Sequence, residues 1–180
     1  RYMSEQIERL YPQANILGEE RIWEFDPEKP GTFAIDPIDG TDVFSQGMPG
    51  WCVSLALLDR TLQPVAGIIC APRWPALILA DVGHAATLDG RPIVPPAHSE
   101  PLSTKTNVMA YSRSYQQVDW SQYPGKIRSV GSAALHLCFP LIYSGVYAAV
   151  EGRGAHIWDI AGAHAILRSH GFDARYLNDT

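Results

Sequence analysis

The sequence predicts an α/β protein, layered in the α+β manner, on three observations. Short apolar runs separated by turn residues dominate its first half. A Pro- and Ser-rich stretch, IVPPAHSEPLS (93–103), interrupts them, and beyond it strand-like and helix-like patterns alternate. The interruption divides the chain into a sheet-rich layer, 1–96, and an α/β layer, 97–180, expected to close into one compact unit.

Each element follows from its local pattern. Met3, Ile7, Leu10 and Tyr11 recur at helical spacing, which predicts a helix stopped by Pro12. ANILGEE reads as a short strand running into Glu19 and Glu20, and GTFAID as a buried strand ending at Asp36. WCVSLALL (51–58) and PVAGIICA (64–71) are β-rich runs joined by DRTLQ, a hairpin. ALILAD and HAATL continue the sheet, and Asp89-Gly90 is the strongest tight-turn signal. After the interruption, TNVMAYS and KIRSVG read as strands and SAALHLCFPLIYSG as a helix bent by Pro140. VYAAVE is a strand, WDIAGAHAILRSHG a helix ending at Gly171, and DARYL a last strand. No internal repeat or low-complexity tract occurs.

Composition narrows the function classes. With 46% apolar and 18% charged residues the chain is globular rather than disordered. A net charge of −5 gives no basis for nucleic acid or an anionic membrane as partner. No apolar run reaches the ~20 residues of a membrane-spanning helix. Cys52, Cys70 and Cys138 are odd in number, far apart and in apolar settings, which predicts reduced, buried thiols and a cytoplasmic setting over a catalytic thiol. The six histidines show no zinc-ligand spacing.

The chemistry concentrates in FAIDPIDGTDVF (33–44). Glu19, Glu20, Asp36 and Asp39 all fall at or just past predicted strand ends, where neighbouring strands bring side chains together. Gathering carboxylates without a cation forces some of them to stay protonated. A hard divalent ion such as Mg²⁺ removes that cost, since it prefers oxygen ligands and takes a few carboxylates together with water and phosphate. Pro37 fixes its own φ, which aims the carbonyl of Ile38 and is expected to leave Asp39 on a turn. Gly40 permits a backbone that turns amides toward an anion, and Thr41 adds a hydroxyl. For any single Asp the plainer reading is a turn former or helix cap, and Asp42 is expected to cap a helix starting at Val43.

Two distant segments suit the same pocket. RSVGSAALHL puts Gly131 and Ser132 at a strand-to-helix turn, whose free N–H groups suit a phosphate, although an ordinary Ser N-cap has the same pattern. AHIWDIAGA puts Asp159 at a helix start, where it serves either the pocket or the helix dipole, with Trp158 packing. His84, His156, Arg113 and Arg153 are further candidates for lining a pocket or for plain surface positions.

At these residues the chain resembles the inositol monophosphatase family, the magnesium-dependent, lithium-sensitive phosphatases with fructose-bisphosphatase-like and adenosine-bisphosphate phosphatase-like branches. The resemblance rests on GEE (18–20), DPIDGTDVF (36–44) followed by PGWCVSLAL, RSVGSAAL (128–135) and WDIAGAHAIL (158–167), in the family's order. It implies an alternating α-β-α-β-α sandwich of the sugar-phosphatase type, with less N-terminal helix and less C-terminal strand and helix than the family carries. It also implies two or three Mg²⁺ ions. Glu19, Asp36 and the carbonyl of Ile38 would hold one; Asp36, Asp39 and Asp159 a second. Glu19 and Thr41 would be catalytic, orienting or deprotonating the attacking water. Gly40, Thr41 and the Gly131-Ser132-Ala133 turn would hold phosphate, and Glu151 a substrate hydroxyl. Val43 replaces the family's usual Asn before the Phe.

The reaction implied is metal-assisted attack of water in line on a phosphate monoester, without a phosphoenzyme. The expected partner is a small phosphorylated substrate, with inositol monophosphate first and histidinol phosphate, sugar bisphosphates or adenosine 3′,5′-bisphosphate as alternatives; the family habit is a homodimer. Two other readings stand beside it. A haloacid dehalogenase-type phosphatase uses an Asp-x-Asp pair, but two residues separate Asp36 from Asp39 here. A non-catalytic metal- or phosphate-binding relative would use the same acidic ligands without turnover.

Overall fold

The computed structural model describes residues 1–20, 24–74, 76–80, 84–98, 101–152 and 154–175. Helix α1 (Tyr2–Leu10) precedes β1 (Asn15–Gly18) and β2 (Thr32–Asp39). The short helix α2 (Thr41–Ser45) follows at once, then β3 (Cys52–Leu58), β4 (Pro64–Ala71), β5 (Ala76–Ala80), β6 (Thr87–Leu88) and β7 (Arg91–Pro92). These seven strands form one sheet in chain order. The pair β1–β2 is parallel and every later pair antiparallel. The turn between β6 and β7 has positive φ at both Asp89 (51°) and Gly90 (76°), the backbone that two-residue hairpins need.

The second half supplies β8 (Asn107–Ala110), a 3₁₀ turn (Ser112–Gln116), β9 (Lys126–Arg128), α3 (Ala133–Ile142), β10 (Val146–Val150) and α4 (Ile157–Arg168). Its three strands form a parallel sheet in the order β10-β8-β9. Helix α1, the large sheet, the α3/α4 pair and the small sheet therefore follow one another as alternating layers. Helix α3 ends at Ile142 with Pro140 in its last turn, where a proline lacks the N–H that would have bonded four residues back. Asp173 to Arg175 are not extended strand, and the rest of the expected DARYL strand lies outside the described residues.

Alternation sets the two faces of the large sheet. In β3, Cys52, Ser54, Ala56 and Leu58 are buried while Val53, Leu55 and Leu57 are half-buried. The buried side meets α4. A Cβ on Gly67 of β4 would lie 2.1 Å from the carbonyl oxygen of Gly162, and one on Gly162 would lie 2.9 Å from Ser54 Oγ. These two glycines let helix and sheet touch backbone to backbone. The core between the helices and both sheets gathers Leu135, Cys138, Leu141, Ile166 and Ile69, each large aliphatic side chain contributing about 1.5–3 kcal/mol by its burial. On the other side α1 inserts Ile7 against Ile16 and Ile35. Leu10 and Tyr11, expected on that apolar face, are instead exposed, although the Tyr11 ring lies 5.3 Å from that of Phe33. Beyond α1 this side opens as an apolar groove of about 340 Å³ walled by Phe33, Leu55, Leu57 and Ile68. Among the described residues no helix is long and apolar enough to cross a membrane.

Candidate active site

The parallel pairing of β1 with β2 aligns Gly18 with Ile35. Continued by one residue, that register sets Glu19 beside Asp36. Strand β2 does not stop at Asp36 as expected: it runs on through Pro37 and Ile38 to Asp39, which pairs with Cys52 after a break in the regular register. Asp39 is therefore a buried strand residue rather than a turn residue. The bend is local: Asp36 Oδ1 accepts the Ile38 N–H at 2.8 Å, and the Thr41 hydroxyl donates to the Ile38 carbonyl at 3.2 Å. Gly40 follows with φ +92°, a left-handed conformation that suits glycine, and caps α2. The helix thus begins at Thr41, and Asp42 lies within its first turn instead of capping it. The Asp42 carboxylate accepts from Gln46 Nε2.

Asp39 reaches across to the second half of the chain. Its carboxylate accepts the Ser132 hydroxyl at 2.5 Å, the Ala134 N–H at 2.8 Å and the Ala133 N–H at 3.2 Å. Ser132 meanwhile caps α3 by accepting the Leu135 N–H. The free amides expected to await a phosphate at the Gly131-Ser132-Ala133 turn are, for Ala133, already bonded to Asp39. Close backbone contact makes this possible. Gly131 has φ +115°, and a Cβ on Gly50 would lie 1.8 Å from the Val130 carbonyl oxygen.

Asp159 arrives from α4. It is the third residue of that helix and accepts the His156 N–H at 2.6 Å, so it is a dipole-aligned cap. It is also near enough to the Asp36 carboxyl for the two charges to repel. One side chain thus caps α4 and lies near Asp36. The backbone contact of Gly67 with Gly162 brings it there, because Gly162 lies three residues on, along the same helix face. Trp158 packs against Ala34, Ala56 and Leu58, its carbonyl accepts from Ser54 Oγ, and its ring stacks on His156 at 4.6 Å.

Electrostatics follow from this crowding. Asp36 and Asp39 are 2% and 6% exposed. Burial, and then the neighbouring Asp39, Glu19 and Asp159 charges, push the Asp36 carboxyl up to about 8, against the partial relief of the Ile38 N–H. Burial pushes Asp39 up to about 6 even though Ser132, Ala134 and Ala133 all donate to it. Asp159 is raised, chiefly by burial. Among the described residues no Lys or Arg pairs with any of the four carboxylates. Nor do three His, Cys, Asp or Glu side chains there form a ready-made cage for an ion. An oxygen-rich, mutually repelling donor set suits a hard divalent cation.

The remaining candidates lie around this cluster or away from it. Glu19 and Thr41 are exposed at its rim. Glu151 follows β10, and its carboxylate accepts from His136 Nδ1 at 2.7 Å. His84 and Arg113 are exposed, and Arg153 lies outside the described residues. Two residues escape a reading of motifs. Cys52 Sγ lies 3.2 Å from Ser132 Oγ and 3.7 Å from Asp39 Oδ2. His136 is fully buried in α3. Its signal was present as one polar residue within the otherwise apolar AALHLCFPLI.

The similarity to known proteins runs through the same segments. Residues 1–174 match the sequence model of the Inositol monophosphatase family. The Inositol-1-monophosphatase of Synechocystis is 32% identical, over 92% of this chain and 59% of its own length. Inositol monophosphatase 2 of Saccharomyces cerevisiae is 27% identical, over 94% and 63%. The solved inositol monophosphatase of Anabaena superposes with a TM-score of 0.76 at 28% identity, covering 93% of this chain and 69% of that one. The chain spans about three fifths of the length of these curated relatives. With a match that runs through GEE, DPIDGTD and WD alike, the chain belongs to the inositol monophosphatase family.

Proposed function

We propose that the chain is a Mg²⁺-dependent phosphate monoester hydrolase acting on a small phosphorylated polyol, with inositol monophosphate as the first substrate to test. One observation carries this reading: two almost fully buried carboxyls, Asp36 and Asp39, crowd against Asp159 and Glu19, and among the described residues no basic side chain pairs with them. Folding tolerates such a cluster at a cost, and a bound cation removes it.

Glu19, Asp36, the Ile38 carbonyl, Asp39 and Asp159 are the oxygen donors available to the ions. When bound, Mg²⁺ supplies charge neutralisation for carboxylates and phosphoryl group and acidifies the attacking water. Thr41, whose hydroxyl donates to the Ile38 carbonyl, would orient that water, and the Glu19 carboxylate would take its proton. The Gly40-Thr41 backbone and the Gly131-Ser132-Ala133 turn position the phosphoryl group. Asp39, tied to that turn by three hydrogen bonds, keeps the two halves of the site in register. Glu151 accepts a hydroxyl of the alcohol part. Cys52 is no nucleophile, because burial holds its thiol well above the usual range. Water attacks directly.

The test is phosphate release from inositol 1-phosphate, histidinol phosphate, a sugar bisphosphate and adenosine 3′,5′-bisphosphate, with Mg²⁺, with EDTA and with added Li⁺. Mg²⁺-dependent, Li⁺-suppressed release supports the reading. Trapping a phosphoaspartate would overturn direct attack, and Mg²⁺ binding without turnover of any ester would make the chain a binding relative.

A further inference from the structure

His136 is the one fully buried histidine among the described residues, and both of its ring nitrogens are engaged. Nε2 accepts the Val130 N–H at 2.9 Å. That bond leaves Nε2 without a proton, so the ring carries its proton on Nδ1 and donates it to Glu151 Oε1 at 2.7 Å. The two partners belong to different walls of the site. Val130 immediately precedes the Gly131-Ser132-Ala133 turn, whereas Glu151 follows β10 and opens the loop toward Asp159. Among the described residues nothing donates to Glu151 Oε2, and the side chain keeps 11% of its surface open.

We propose that His136 is a positioning residue: it aims the Glu151 carboxylate as a fixed acceptor for a substrate hydroxyl and ties it to the backbone that enters the phosphate-holding turn. The inference rests on the reading of Glu151 as the contact to the alcohol part of the substrate. The physical reason is rigidity. A free glutamate samples several rotamers, whereas one oxygen pinned by a buried donor leaves the other facing a single direction. The same ring fixes the distance between hydroxyl acceptor and phosphate turn, so it selects esters whose hydroxyl stands at that span from phosphorus.

The test uses the full chain with Mg²⁺ and two esters, inositol 1-phosphate and phenyl phosphate, which has no hydroxyl to offer Glu151. His136→Gln places an acceptor where Nε2 was and loses the donor to Glu151; His136→Asn keeps a donor where Nδ1 was and loses the acceptor for Val130. Expected for His136→Gln is a rise of about tenfold in the ratio of the polyol KM to the aryl KM, with His136→Asn nearer the parent. Glu151→Ala raises the same ratio, and His136→Gln adds nothing further on that background. Equal KM changes for both esters in His136→Gln, with Glu151→Ala selective, would overturn the positioning role alone. A ratio unmoved by Glu151→Ala would overturn the underlying reading of Glu151 and the proposal with it. Long-range ¹H–¹⁵N spectra of the unmodified chain read the tautomer without any turnover, the His136→Asn spectrum giving the assignment: a proton on Nδ1 supports the proposal, and one on Nε2 overturns it.

Discussion

The aspartates at the ends of β2 and β3 show how one residue type serves opposite ends. Asp59, between β3 and β4, accepts the Thr61 N–H and hydroxyl at 2.8 Å and the Gln63 N–H at 3.0 Å. Those turn amides, led by Gln63, hold its carboxyl below the usual range, so ionised Asp59 is at ease in its exposed turn. Asp36 and Asp39 also accept N–H groups, yet burial, helped by the Asp39 charge at the first and the Asp159 charge at the second, pushes them up to about 8 and about 6. Local hydrogen bonds are alike in kind at both places. What differs is access to water and the arrival of further acids from α4 and the segment after β1, and that difference separates a structural aspartate from one proposed as a cation ligand.

The largest expected effect is on turnover. Asp36→Asn or Asp39→Asn should lower Mg²⁺-dependent phosphate release at least ~10²–10³-fold, on the scale of losing a group that stabilises developing charge. Asp59→Asn should stay within about twofold, as surface changes do. Comparable losses at the two places would dissolve the contrast.

Ion binding comes next. At a hundredfold excess over Kd, Mg²⁺ should stabilise the folded chain by about 2.7 kcal/mol, or roughly 5–10 °C in Tm at this length. Calorimetry should show the gain vanish in Asp36→Asn and persist in Asp59→Asn.

Gly67→Ala tests the approach of α4. Its methyl would sit 2.1 Å from the Gly162 carbonyl oxygen, so the helix must lift. A loss of about 1–3 kcal/mol is expected. The Mg²⁺-induced shift in Tm should shrink as well, because Asp159 moves with the helix. A stable variant with full Mg²⁺ response would show that the close approach is not what delivers Asp159.

The smallest effect is a slope. Without metal, Asp36 holds its proton more tightly folded than unfolded, so its contribution to stability is complete below its ordinary value near 3.8 and lost as pH rises through about 8. Asp39 adds a shallower loss ending near 6. Asp59 has the opposite sign: its contribution is present above the ordinary carboxylate range and lost as pH falls through its lowered value. Thermal melts in EDTA from pH 5 to 8.5 should therefore show Tm falling, and Asp36→Asn should flatten the fall. A Tm that rises over that window in the parent and the variant alike would contradict the sign.

Much of this was legible in sequence because it is local. The Asp89-Gly90 turn, the β3–β4 hairpin, the Ser132 cap and both long helices depend on residues within a few positions of one another. Three features were not. The continuation of β2 to Asp39 is set by its partner: Cys52 offers a ladder position past Pro37, which outweighs the proline's tendency to end a strand. Asp42 lost its expected capping role because Gly40, in a left-handed conformation, starts α2 two residues early. The bonds from Ser132, Ala133 and Ala134 to Asp39 span more than ninety residues and leave no periodicity to read.

By itself the sequence determined which oxygen ligands exist, how they are spaced within each motif, and which backbone conformations Gly40 and the Asp89-Gly90 pair can adopt, since torsional preference and turn chemistry act between neighbours. Only the tertiary structure decided that Asp159 would face Asp36, that the amides of α3 would bond Asp39 before any anion, and that His136 would join Glu151 to Val130. Those outcomes depend on how closely helix and sheet backbones approach at Gly67, Gly162 and Gly50, and such distances follow from packing the whole core at once.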